Sequence, residues 1–144
     1  EMMVKIIDEA VKRIVPYETP EEQSITNAIS YSVGKIADKT DAKIIVAFTQ
    51  SGATATRIAK HRHQQPIIAV SPDPKIIHNL NFVWGVHSQL IPFTKDFEDM
   101  LVQAKKIAVE NRVLSLAPGE SYVISSGMPF GESGSTNMIL VEKV

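Results

Sequence analysis

Small and hydroxyl-bearing residues crowd one turn of this chain. Thr49, Gln50, Ser51, Gly52, Ala53 and Thr54 follow directly on the apolar run Ile44 to Phe48, and Ala55 to His63 continue at helical spacing. A turn from strand into helix presents free backbone N–H groups, and the permissive backbone of Gly52 admits a ligand closely. With the Ser51 and Thr54 hydroxyls added, the segment suits a phosphate group. The same residues could instead only cap the helix, and the spacing leaves both readings open. The turn is neither a Walker loop nor a dinucleotide fingerprint: no Lys follows Gly52 where G-x-x-x-x-G-K-[ST] needs one, and G-x-G-x-x-G is absent. Ser51 is not placed as a hydrolase nucleophile, because a G-x-S-x-G elbow needs glycine where Thr49 stands.

A second cluster lies in Gly127-Met128-Pro129-Phe130-Gly131-Glu132-Ser133-Gly134-Ser135-Thr136, which gathers three glycines and more hydroxyls between apolar segments. Such a loop can close over a ligand, or it can be a long hairpin whose glycines serve turn geometry alone. His61, Arg62 and His63 fall near the end of the helix after Thr54, where positive groups complement the dipole, so they read as a solvated cap and not a metal site. His78 and His87 are isolated, and Trp84 follows an apolar run and reads as core.

Composition narrows the classes. The chain has 144 residues, 44% hydrophobic and 22% charged, with seven glycines, eight prolines and no cysteine, which fits one globular domain. Fifteen basic against sixteen acidic residues give a formal charge of -1, so nothing advertises nucleic acid or a membrane surface as partner. The absence of cysteine removes thiol nucleophiles and thiolate metal sites, and favours an intracellular, cytoplasmic setting. No apolar run approaches the roughly 20 residues that span a bilayer, and no signal peptide opens the chain. A chain that opens on Glu1 is expected to be a piece of a longer one.

The elements that must position these residues follow from periodicity. Met3, Ile6, Ile7, Ala10, Val11 and Ile14 share one helical face, ending at Pro16. Thr19-Pro20-Glu21-Glu22 carries N-terminal helix signals, which predict a helix over 21–39 with Gly34 inside it as a point of close packing. Continuous apolar runs at 43–48 and 66–70 predict strands buried on both faces, followed by a short helix over 74–80. A third strand is expected from Phe82 to Val86 with Leu90 and Ile91, a helix over 95–111, and strands at 121–126 and 137–144. Alternating strand and helix predicts a doubly wound α/β domain, a three-layer α/β/α arrangement around a five-stranded, mostly parallel sheet. About ten residues, 127–136, join the last two strands, at the lower limit for a crossover. That pair is therefore expected to be antiparallel.

Four blocks together carry a resemblance: T-Q-S-G-A-T-A-T-R-I-A-K-H-R at 49–62, P-I-I-A-V at 66–70, W-G-V at 84–86 and G-S-T-N-M-I at 134–139. In this order and spacing they resemble the C-terminal domain of the pyruvate kinase family over nearly the whole chain. Residues 1–16 look like the end of the preceding barrel helix, with the α/β domain over 17–144. The resemblance implies a regulatory and oligomerisation domain outside the catalytic machinery, with no catalytic residue, metal or cofactor in this chain. Mg²⁺ and K⁺ would belong to the barrel of the parent enzyme. It further implies that Thr49, Gln50, Ser51, Gly52, Ala53 and Thr54 hold an effector phosphate and that Ser133, Gly134 and Ser135 form the effector loop. Where bisphosphate-activated relatives place an Arg, this chain offers Leu101, Val102, Gln103 and Ala104, and Met128-Pro129-Phe130 also lacks a cation. The expected effector is thus a single-phosphate ligand, a sugar monophosphate or AMP, and self-association is expected through the final strand and the helix around 19–39.

Overall fold

The computed structural model describes residues 24–132 and 136–144. The expected helix at 3–15, the signals at 19–22 and the loop residues Ser133, Gly134 and Ser135 lie outside the described residues. The chain runs α1 (Ile25–Lys39), β1 (Ala42–Phe48), α2 (Ala53–Lys60), β2 (Ile67–Ser71), α3 (Pro74–Leu80), β3 (Val86–Leu90), α4 (Phe97–Glu110), β4 (Ser121–Gly127) and β5 (Thr136–Lys143). Helix α1 begins at Ile25 and not at Glu21. Ser24 is extended (φ -135°, ψ 153°) and its hydroxyl accepts the Asn27 N–H at 3.1 Å, satisfying one of the N–H groups a helix start leaves unpaired.

The five strands form one sheet in the order β3-β2-β1-β4-β5. All neighbours are parallel except β4 and β5, which are antiparallel as expected, with Ile124 opposite Leu140. Alternation along β1 divides its run between two cores. Ile45 and Ala47 face Val33, Ala37, Ile58 and Leu80 on the side of α1, α2 and α3. Ile44, Val46 and Phe48 face Met100, Ala104 and Ile107 of α4. Strands buried on both faces account for apolar runs without alternation.

Gly34 is a point of close packing. A Cβ built there would fall inside the His63 imidazole, so only glycine lets the segment after α2 lie against α1. This packing overturns the solvated-cap reading of His61-Arg62-His63. His61 is 8% exposed and meets the Tyr31 ring edge-on at 5.4 Å, and His63 is partly buried. Burial, then the neighbouring His61, pushes the His63 pKa down to about 4, although Asp38 opposes the shift. Only Arg62 of the three is exposed.

Two further expectations are corrected around β3. The strand starts at Val86, because the chain leaves α3 through a turn in which Phe82 N–H reaches Asn79 O (3.3 Å) and Val83 N–H reaches Leu80 O (3.1 Å). Trp84 is consequently not core. It is 51% exposed, with the Arg62 guanidinium 4.4 Å from its ring centre, a stacking that covers one aromatic face without burial.

Candidate effector cleft

The topology selects one edge of the sheet. From β1 the chain steps outward to β2 and β3, then returns through α4 to β4 on the other side of β1. The carboxyl ends of β1 and β4 therefore flank the point where strand order reverses, and crevices form there in open α/β sheets. A small cleft of about 30 Å³ opens at this place. It is floored by Phe48, Val70 and Ile91 from the ends of β1, β2 and β3, and walled by Thr49, Gln50, Thr54, Thr94, Ser126 and Thr136. Phe130, Gly131 and Glu132 of the β4–β5 loop close its side.

The β1–α2 turn is built by its own side chains. Thr49 N–H donates to Val70 O at 3.0 Å, so the turn leaves the sheet from a fixed point. The Thr49 hydroxyl oxygen accepts from Gly52 N–H at 2.8 Å, and Gly52 takes a left-handed φ of 87° as the N-cap of α2. That conformation is costly for any residue with a Cβ. Gly52 O then accepts from both Thr56 N–H (3.0 Å) and the Thr56 hydroxyl (2.9 Å). The N–H groups of Thr54 and Ala55 belong to the first turn, where a helix offers no internal acceptor. Thr54 and Thr136 are 6% and 1% exposed, and their hydroxyls hydrogen-bond to each other, tying α2 to the start of β5.

The opposite wall is held equally firmly. Asn137 clamps the base of the β4–β5 loop, accepting from Met128 N–H at 2.9 Å and donating to Met128 O at 2.8 Å. Gly131, at φ 92°, lies against Phe93, where a Cβ would meet the ring at 3.6 Å. Among the described lining residues, Glu132 is the one charged group.

Of the sequence-derived site residues, the structure brings Thr49, Gln50 and Thr54 onto the cleft wall. Ser51, Gly52 and Ala53 are not among its lining residues. Ser51 is exposed, and its hydroxyl accepts the Ala53 N–H only at 3.4 Å. Ser133, Gly134 and Ser135 lie outside the described residues, but Glu132 and Thr136, which flank them, both line the cleft. Sequence reasoning missed Thr94 and Ser126. Their signal was positional, since each stands at or just beyond the carboxyl end of a parallel strand.

Comparison with known proteins decides the family. Residues 27–142 match the family described as pyruvate kinase, alpha/beta domain. The chain belongs to this family. Pyruvate kinase of Staphylococcus haemolyticus is 40% identical over 124 residues, covering 85% of this chain and 21% of the relative. The Lactobacillus delbrueckii subsp. bulgaricus enzyme is 35% identical over 126 residues, covering 88% and 21%. The crystal structure of Cryptosporidium parvum pyruvate kinase superposes with a TM-score of 0.72 at 23% identity, covering 87% of this chain and 23% of that one. The chain thus spans about a fifth of the length of these pyruvate kinases, and its sheet agrees with the α/β domain of the family. Among the described residues no cluster of three or more His, Cys, Asp or Glu could hold a metal ion, and no helix is long and apolar enough to cross a membrane.

Proposed function

We propose that this chain serves as the regulatory and oligomerisation domain of a cytoplasmic pyruvate kinase, in which the cleft between β1 and β4 binds the phosphate of an effector. The parent enzyme would transfer phosphate from phosphoenolpyruvate to ADP in glycolysis. The present chain would supply control and assembly, without turnover of its own. The observation that carries this reading is the cleft at the reversal of strand order, with Thr49, Gln50 and Thr54 on its wall beside the first turn of α2. The first turn of α2 lies beside these hydroxyl-bearing residues, and helix starts hold phosphate through their free N–H groups. Ser133, Gly134 and Ser135 would belong to the effector loop. Assembly would use β5, a margin strand whose backbone pairs on one side only.

The test is a titration of the chain with inorganic phosphate followed by backbone amide NMR. Shifts at Gln50 to Ala55 at millimolar phosphate are expected. No movement in that segment would remove the site and leave a phosphate-independent interaction module as the better reading.

A further inference from the structure

We propose that the outer edge of β3, with the trough beside it on the α4 side, binds an extended peptide that adds a strand to the sheet and carries acidic residues next to apolar ones. This surface is separate from the cleft between β1 and β4 and does not depend on it.

β3 is the margin of the sheet opposite β5 and pairs with β2 alone. Backbone groups alternate in direction along a strand, and two bonds fix their phase here. Gly85 O accepts from Ile67 N–H at 3.0 Å, and Ile91 N–H donates to Ser71 O at 3.1 Å. The backbone groups of residues 85, 87, 89 and 91 therefore point to β2, whereas Ser88 and Leu90 each turn an N–H and a C=O outward. Native sheets blunt such an edge with Lys, Pro or a covering element. The strand Val-His-Ser-Gln-Leu holds neither Lys nor Pro. It is also held in place from both faces: the Ser88 hydroxyl donates to Ile77 O of α3 at 3.0 Å, and Asn111 Nδ2, just beyond α4, donates to Gln89 Oε1 at 3.2 Å. An incoming strand meets a template that needs no further ordering.

Two adjoining hollows of about 470 and 610 Å³ run beside this edge and share Gln89 and Glu110. The first lies between the end of β3 and α4, over the buried Ile91 and Ile107. Leu90, Phe93 and Val102 line it and are 53%, 52% and 67% exposed. Side chains of an added strand alternate between its faces, so every second one would enter this apolar hollow. The charges around it are unbalanced. Lys95, Lys106 and Arg112 line the two hollows, and none of them forms an ion pair among the described residues. Asp99 is already engaged by Lys95 N–H at 2.9 Å and Gln103 Nε2 at 3.0 Å, which leaves Glu110 against these cations. Acidic residues flanking an apolar stretch complement that excess. Pairing of β3 with β3 about a two-fold axis would instead bring the cations of two copies together, which disfavours a second copy of the chain as the occupant.

The test adds the acetylated octapeptide Asp-Asp-Val-Thr-Val-Thr-Asp-Asp to the chain and follows the backbone amides by NMR. Saturable shifts at Ser88 and Leu90 are expected below about 1 mM peptide, with slowed hydrogen exchange of the same two N–H groups. The peptide N-methylated at its four central residues keeps the side chains but cannot donate to the edge, and is expected to bind about tenfold or more weakly. A counterpart with lysine in place of every aspartate is expected to bind about tenfold more weakly, and the exposed substitution Lys106→Glu to narrow that preference several-fold. No shift at Ser88 or Leu90 overturns the proposal. An N-methylated peptide that binds as tightly as its parent overturns strand addition, and a flank preference that Lys106→Glu leaves untouched overturns the acidic assignment. Self-association of the peptide-free chain that Leu90→Asp abolishes overturns it as well, by making a second copy the occupant.

Discussion

Replacing Gly34 by alanine sets two effects of opposite sign against each other. Gly34 lies in the interior of α1, where exchanging glycine for alanine ordinarily stabilises by about 1 kcal/mol. Here the new methyl would occupy the volume of the His63 ring. The clash is with the ring body and not with the end of a flexible chain. The imidazole has to swing out of the α1–α2 junction, where overpacking costs about 1–3 kcal/mol. The net expectation is a loss of up to about 2 kcal/mol, or a fall in Tm of up to roughly 10 °C for a domain of this size. Thermal and urea unfolding followed by circular dichroism would measure it. The decisive control is the cycle with His63→Ala. Once the ring is gone the obstacle is gone, and adding Gly34→Ala should stabilise by up to about 1 kcal/mol. A Gly34→Ala variant more stable than wild type, or an effect of the same size in the His63→Ala background, would refute the packing argument.

Two other expectations follow from the same contacts. His63 titrates at about 4 in the folded chain against an ordinary 6.5, so its neutral form favours folding: stability is full above pH 6.5 and falls as the pH drops toward 4. Screening of this partly exposed ring limits the loss to about 1–2 kcal/mol, and urea unfolding between pH 7 and 4 should show a shallower slope in His63→Gln. Thr136→Val leaves the buried Thr54 hydroxyl without its partner and should cost about 1–3 kcal/mol by chemical denaturation, while Thr54→Val combined with Thr136→Val should cost less than the sum of the single changes.

The central strands were legible because burial on both faces writes an uninterrupted apolar run, as at Ile44 to Phe48. The antiparallel end of the sheet was legible from the length of its connection. Trp84 and Phe82 misled because apolarity alone does not distinguish a strand from an exposed turn. Their exposure depends on how α3 ends and on Arg62 arriving from the far side of α2 to stack on Trp84. His61 and His63 misled for a related reason. Their burial is created by the absence of a side chain at Gly34, on a different helix. The β1–α2 turn could be located from the rule that ligands collect at carboxyl strand ends, which placed Thr49, Gln50 and Thr54 on the wall. That Ser51 is not a lining residue was not legible, since the turn is organised by Thr49 and not Ser51 receiving the Gly52 N–H.

The claim that the first turn of α2 holds a phosphate is tested most directly by a crystal structure of the chain grown in phosphate. An anion should refine in the cleft within hydrogen-bond distance of the Thr49 hydroxyl and the Thr54 N–H, with Glu132 turned away from it. Phosphate bound elsewhere on the surface, with the cleft occupied only by water, would contradict the claim.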